Sequence, residues 1–239
     1  MPKRYWWIIA TFFFVQFGVL PVAYGVAPYV SSDAELTAYS LLITSVIGFI
    51  VTLLLLRKER EIGIWKRDRG ASTGESILWI FLGVVLALTS QMIAAAIETY
   101  IFRVPVGSEN TAGLMNIYEA APLFVLYMVF FAPVFEELIF RKIIFGQVYK
   151  KTNFFIAGIV SSLAFAVLHM DFTHLLIYTS MGFVFAFLYV RTQRIIIPIL
   201  VHGLMNLFVV VGQSMIDPEM LEEYQEQLNI ILLQLTGGF

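Results

Sequence analysis

Three groups of polar residues sit inside otherwise apolar stretches of this sequence, and each has the spacing of one helix face. The first is Glu136, Glu137 and Arg141, in the run Pro-Val-Phe-Glu-Glu-Leu-Ile-Phe-Arg-Lys-Ile-Ile-Phe-Gly over 133–146. The second is Phe165 with His169, and the third is His202 with Asn206, the members of each pair four residues apart. An ionised side chain at the centre of a bilayer helix costs about 2.5–3.5 kcal/mol on insertion scales, so a cluster of three needs a functional reason. Glu137 and Arg141 face each other across one turn and can pair locally. Glu136, rotated by roughly 100°, is left to address another helix.

Together these residues can do recognisable chemistry. A carboxylate held away from water is a stronger base, suited to taking a proton from water near neutral pH. A neutral histidine beside it orients that water or takes part in proton transfer. A second histidine with an asparagine one turn on, such as His202 with Asn206, can donate hydrogen bonds to the oxyanion of a tetrahedral intermediate. Amide hydrolysis by Glu136, His169, His202 and Asn206 is therefore a natural reading, with Glu137 and Arg141 in support. Glu136, His169 and His202 also make a plausible three-ligand zinc set with one open position. Metal-bound and carboxylate-activated water use the same residues, so the cofactor stays open, with zinc compatible. The Glu137–Arg141 pair reads as structural, His174 as interfacial, and Phe165 as a packing or lipid-facing residue.

The elements that must carry these groups are membrane helices. Hydrophobic residues make up 59% of the 239 and charged residues 13%, against about 25% charged in soluble domains. Mean hydropathy is +0.84. This is an all-α, multi-pass bundle in a cell membrane, with lipid as its surroundings and no nucleic-acid partner. The absence of cysteine excludes disulfides, thiolate catalysis and Cys-bound metal.

Seven apolar runs are long enough to be considered as spans: 3–30, 36–56, 77–102, 121–149, 154–170, 175–190 and 195–212, the fifth and sixth marginal. The first exceeds a signal-peptide core and reads as an uncleaved helix. Segment 103–120, with Pro105, Gly107, Ser108 and Asn110, reads as a loop. An eighth, interfacial or partly inserted helix is expected from Met220 in the acidic tail. With the N-terminus cytoplasmic, fourteen of the fifteen Lys and Arg fall on the cytoplasmic half, six of them in the basic loop 57–69, and Arg103 alone lies outside. Counting ~1.5 Å per residue from the cytoplasmic turns places Glu136 and His169 roughly 21–24 Å deep, and His202 and Asn206 roughly 12–18 Å deep. Allowing for tilt, one buried site can hold them all.

Glu136-Glu137-Leu-Ile-Phe-Arg141, Phe165-Ala-Val-Leu-His169 and His202-Gly-Leu-Met-Asn206 resemble the three motifs of the CPBP (Abi) family of intramembrane proteases, which includes the type II CAAX prenyl endopeptidases. The resemblance covers roughly 121–212. It divides the chain into N-terminal helices over 1–115 with a basic loop at 57–70, a catalytic membrane core over 116–213, and an acidic tail over 214–239. It implies that Glu136 activates water together with His169, that His202 and Asn206 form the oxyanion site, and that Glu137 and Arg141 brace it. The family has been described both as metalloproteases and as glutamate proteases. Lys142 stands where the family often has glycine, next to the motif but outside the catalytic set. The implied substrate is a peptide or lipid-anchored protein cut near a membrane-bound C-terminus. Two other classes would use buried groups of this kind, an ion- or proton-coupled transporter and a membrane scaffold. Oligomeric state leaves no mark in the sequence.

Overall fold

The computed structural model describes residues 1–57, 61–62, 65–66, 70–215 and 227. Its helices begin where the sequence supplies caps. Helix α1 (Lys3–Phe17) and α2 (Val19–Val26) form a pair bent by 41°. The break is at Gly18, where a Cβ would run into the Phe14 carbonyl and ring. Helix α3 (Asp33–Leu56) starts on Ser32, whose hydroxyl accepts from Glu35 N at 3.2 Å. Helix α4 (Thr73–Tyr100) starts on a reciprocal capping box between Ser72 and Glu75. Between α3 and α4, strands β1 (Glu61–Ile62) and β2 (Trp65–Lys66) pair antiparallel, with Glu61 opposite Lys66.

Segment 103–120 departs from its reading as a loop. Ser108 accepts from Thr111 N and opens α5 (Glu109–Ala120). The breakers Pro105 and Gly107 lie upstream of that cap, and Ser108, taken for a breaker, is the cap itself.

Helix α6 (Pro122–Tyr149) is continuous but not uniform. It opens with a 3₁₀ turn at Pro122–Phe124 and passes through π-helix at Tyr127–Phe131. It is then α-helical over Ala132–Glu137, π-helical again over Leu138–Phe145, and α-helical over Gly146–Tyr149. Helix α7 (Phe154–Leu168) is capped by Asn153. A 3₁₀ turn at Phe172–His174 leads into α8 (Leu175–Thr192), and α9 (Ile196–Met215) follows.

Among the described residues five helical segments are long and apolar enough to cross a membrane: α3, α4, α6, Phe172–Thr192 and α9; the bent pair brings the number to six. Helix α7, at 15 residues, is shorter than the others. The tail helix expected from Met220 lies outside the described residues, as does most of the basic loop.

Helix α8 packs on α4 and α7, and α9 runs against α4, α6 and α8. Within its most apolar window α6 is 56% buried, against 17% for α4, so α6 lies inside and α4 faces outward. Side chains such as Leu54, Phe81, Phe155 and Phe208 are exposed and suit acyl chains. Small residues set the closest approaches. A Cβ on Gly203 would lie 2.5 Å from the Val129 carbonyl oxygen, so only glycine lets α9 settle onto the first π segment of α6.

Candidate active site

The first polar group sits where α6 changes from α to π geometry, a device common at functional sites. Arg141 Nη1 lies 3.1 Å from Glu137 Oε1, and neither side chain is exposed to any measurable extent (0%). The guanidinium lies 4.3 Å from the ring centre of Phe165 and 5.1 Å from that of Phe185. These rings offer their negative faces to a cation that has left water. Phe165, read from sequence as packing or lipid-facing, is buried and touches Arg141, His169 and His202.

The third group closes on the first. His202 Nδ1 lies 2.9 Å from Glu137 Oε1. Its ring stacks on Phe185 at 4.8 Å, and its Nε2 lies 3.7 Å from Glu136 Oε2. Glu137 is therefore committed twice, to Arg141 and to His202. Glu136 differs from its neighbour. Its side chain keeps 12% exposure, and among the described residues it receives no hydrogen bond. Tyr127, whose hydroxyl donates to Gln16 Oε1 at 3.5 Å, lies within the field of the Glu136 carboxylate.

His169 ends α7, and Met170 after it takes the left-handed conformation at φ 54°. His169 Nδ1 lies 2.8 Å from the Phe165 carbonyl oxygen. A carbonyl only accepts, so Nδ1 carries the hydrogen and Nε2 is left as the acceptor. The ring is packed between Phe165, 4.6 Å away, and Tyr178, on which it stacks at 4.1 Å and 26°. Glu136, His202 and Arg141 all act on it electrostatically. Asn206 lies one turn beyond His202 and donates from Nδ2 to the Met128 carbonyl at 2.7 Å, which leaves one amide hydrogen over. Glu136, Glu137, Arg141 and His202 thus meet directly, with His169 and Asn206 flanking them. Glu136, His169 and His202 are not gathered as a metal set: among the described residues no three His, Asp or Glu side chains are placed to hold an ion.

A second polar cluster escaped the sequence reading. His174, expected at the membrane interface, is buried within the protein, at 7% exposure. Its Nδ1 lies 2.9 Å from Glu98 Oε2 and its Nε2 2.6 Å from the Gly107 carbonyl. The other Glu98 oxygen accepts from Leu176 N and Ile177 N, so a side chain of α4 caps the start of α8. Nearby, Ser108 Oγ donates to Asp171 Oδ2 at 2.7 Å, and Thr173 Oγ1 donates to Asp171 Oδ1. Burial works to raise the Asp171 carboxyl, but the two hydroxyls and the neighbouring His174 hold it below its ordinary value. One signal was available: Glu98 is a carboxylate inside an apolar span, the same oddity that marked Glu136.

Comparison with known proteins agrees with the motif spacing. The model of the Rce1-like type II CAAX prenyl endopeptidases matches residues 118–208. Over 246 aligned residues the chain is 42% identical to the candidate membrane peptidase YdiL of Bacillus subtilis, covering 100% of this chain and 99% of that one. It is 39% identical over 161 residues to the membrane-embedded CAAX protease MroQ of Staphylococcus aureus, 65% of either chain. A third relative, the UPF0177 protein YxdF of Lactococcus lactis, is 29% identical over 133 residues, 54% of this chain and 66% of that one. No solved structure gives a significant match.

Proposed function

The chain belongs to the Rce1-like family of type II CAAX prenyl endopeptidases, and from that membership we propose that it is an intramembrane endopeptidase acting on a membrane-held peptide or protein. It is a multi-pass membrane protein. The observation that carries the proposal is the contrast between two adjacent carboxylates. Glu137 is committed to Arg141 and His202, whereas Glu136 stands 3.7 Å from His202 Nε2 with no hydrogen bond among the described residues. A half-buried carboxylate with one long ion pair and no hydrogen bond is left free to act as a base.

In the proposed reaction a water molecule lies between Glu136 and the acceptor nitrogen of His169. Glu136 takes a proton as the water oxygen bonds to the peptide carbonyl carbon. The carbonyl oxygen becomes an oxyanion, accepting from His202 Nε2 and from the remaining Asn206 amide hydrogen. For Nε2 to donate while Nδ1 donates to Glu137, the His202 ring must carry both protons, and the two carboxylates beside it supply the counter-charge. The C–N bond then breaks, and the proton held by Glu136 passes to the departing nitrogen, giving a carboxylic acid and an amine. Glu137 and Arg141 fix His202 and do not touch the substrate. In this reading the carboxylate is the water-activating group. The substrate is proposed to be a peptide or lipid-anchored chain reaching the site from the cytoplasmic side.

The test is cleavage of a membrane-tethered peptide library by the purified chain in nanodiscs, comparing wild type with Glu136→Ala and His169→Ala, with and without a chelator. Cutting that is lost in both folded variants and is indifferent to the chelator supports the proposal. Cutting that survives both substitutions overturns the assignment of Glu136 and His169 to the reaction, and cutting abolished by the chelator moves the activated water onto a metal.

A further inference from the structure

The cluster at the far end of α4 resembles, at first sight, a second catalytic site, with a half-buried serine beside a buried histidine and two buried carboxylates. Its hydrogen bonds exclude that chemistry. Ser108 Oγ donates to Asp171 rather than to a histidine, and both His174 nitrogens are committed, to Glu98 and to Gly107. No nucleophile is paired with a base. What the cluster does reach is the proposed site, through Tyr178.

Tyr178 lies on α8, one helical turn beyond His174. Its ring is the flat partner of His169, at 4.1 Å and 26°. Its hydroxyl lies 3.2 Å from Ser108 Oγ and 3.4 Å from Asn110 Nδ2, both at the start of α5. Ser108 is held in turn by Asp171, two residues after His169, and Asp171 by Thr173. The chain of contacts leaves the His169 ring, passes through Tyr178 and Ser108, and returns through Asp171 to the backbone that carries His169. That loop is closed. It matters because His169 ends its helix, beside a left-handed residue, and α7 alone gives its ring one hydrogen bond.

We propose that Tyr178, held by Ser108 and Asn110, is a positioning residue that fixes the plane of the His169 imidazole so that Nε2 faces the water beside Glu136. This rests on the proposed role of His169. Misplacing a reacting group by about 1 Å can cost on the order of 100-fold in rate, so loss of the stacked ring should act on turnover rather than on binding.

The chain contains three histidines, so their ring signals can be resolved in the full-length protein in nanodiscs, with His169 assigned by its loss in His169→Gln. Replacing the stacked ring in Tyr178→Leu should move the His169 ring protons downfield, out of the phenol's ring current. Ser108→Ala, a milder change that guards against misfolding, should move them less, and His202 should stay in place in both. With a peptide that the wild type cuts, Tyr178→Leu should lower kcat by about tenfold at unchanged KM. Tyr178→Phe, which keeps the ring, should recover most of that loss. His169 signals unaltered in Tyr178→Leu, or His202 signals moving as far as those of His169, would overturn the positioning role. The ring readout needs no hydrolysis. A His169→Gln variant that still cuts would sink the catalytic role of His169 on which this rests, while the signals still decide what Tyr178 does.

Discussion

Two histidines in this molecule each stand 2.9 Å from a buried glutamate, yet the two regions do different things. At the far end, His174 has its second nitrogen on the Gly107 carbonyl, and Glu98 has its second oxygen on two backbone N–H groups of α8. Every strong valence there is filled, and the result is a clamp joining α4, the segment before α5 and the start of α8. At the α6 site Glu137 is held through Oε1 alone, shared between Arg141 and His202, with its Oε2 shut away from solvent and without a hydrogen bond among the described residues, whereas the neighbouring Glu136 keeps some exposure and no hydrogen bond among them. Glu136, the acceptor nitrogen of His169, the Nε2 of His202 and one amide hydrogen of Asn206 all remain over. Residue type does not separate a structural cluster from a chemical one here. Uncommitted donors and acceptors do.

Substitutions in the two clusters should therefore act differently on turnover and on stability. Glu136→Gln keeps the shape and removes the base, and cleavage of a susceptible tethered peptide should fall by about 10²–10⁴-fold with the melting temperature unmoved. Arg141→Leu removes the guanidinium paired with the fully buried Glu137. It should cost about 3–5 kcal/mol, read as a lower melting temperature in detergent, with activity lost alongside. Glu98→Gln removes the negative charge beside His174 while its amide oxygen can still accept from Leu176 N and Ile177 N, which should cost about 1–3 kcal/mol of stability, while each folded molecule turns over close to the wild-type rate. Gly203→Ala pushes α9 away from the Val129 carbonyl at a cost of about 1–3 kcal/mol, and by shifting His202 and Asn206 together it should lower kcat as well.

The smallest effect is that of pH on the clamp. Asp171 is held below its ordinary value when folded. Its contribution is therefore complete above the unfolded carboxylate range and fades as pH falls through the lower, folded value. Melting followed from pH 6 downward should show an acid loss that is smaller in Asp171→Asn; an identical loss in both proteins would assign it to other carboxylates.

Much of the α6 site was legible because a charge in an apolar run is conspicuous and the four-residue spacing gives the face. Glu137 with Arg141, and the meeting of His202 with Glu136, follow from that. The depth count, which set His202 short of Glu136, assumed straight helices of constant rise. The π stretch over Leu138–Phe145 fits more residues into the same length, so Glu136 lies nearer the cytoplasmic turn than the count implies. Nothing local in Leu-Ile-Phe-Arg-Lys-Ile-Ile-Phe announces the π geometry of this stretch, which packs against α7 and α8. Glu98 was passed over because its partner His174 is 76 residues away, and no periodicity connects them. Helix α5 was lost to Pro105 and Gly107, which belong to the turn before its cap.

The most direct measurement sets the two glutamates side by side: Glu136→Gln and Glu98→Gln, each purified in full length, with turnover per folded molecule on one tethered peptide and melting temperature recorded for both. The account predicts that Glu136→Gln melts like wild type and does not cut, while Glu98→Gln melts lower and cuts. A Glu136→Gln protein that cuts as well as wild type would contradict it.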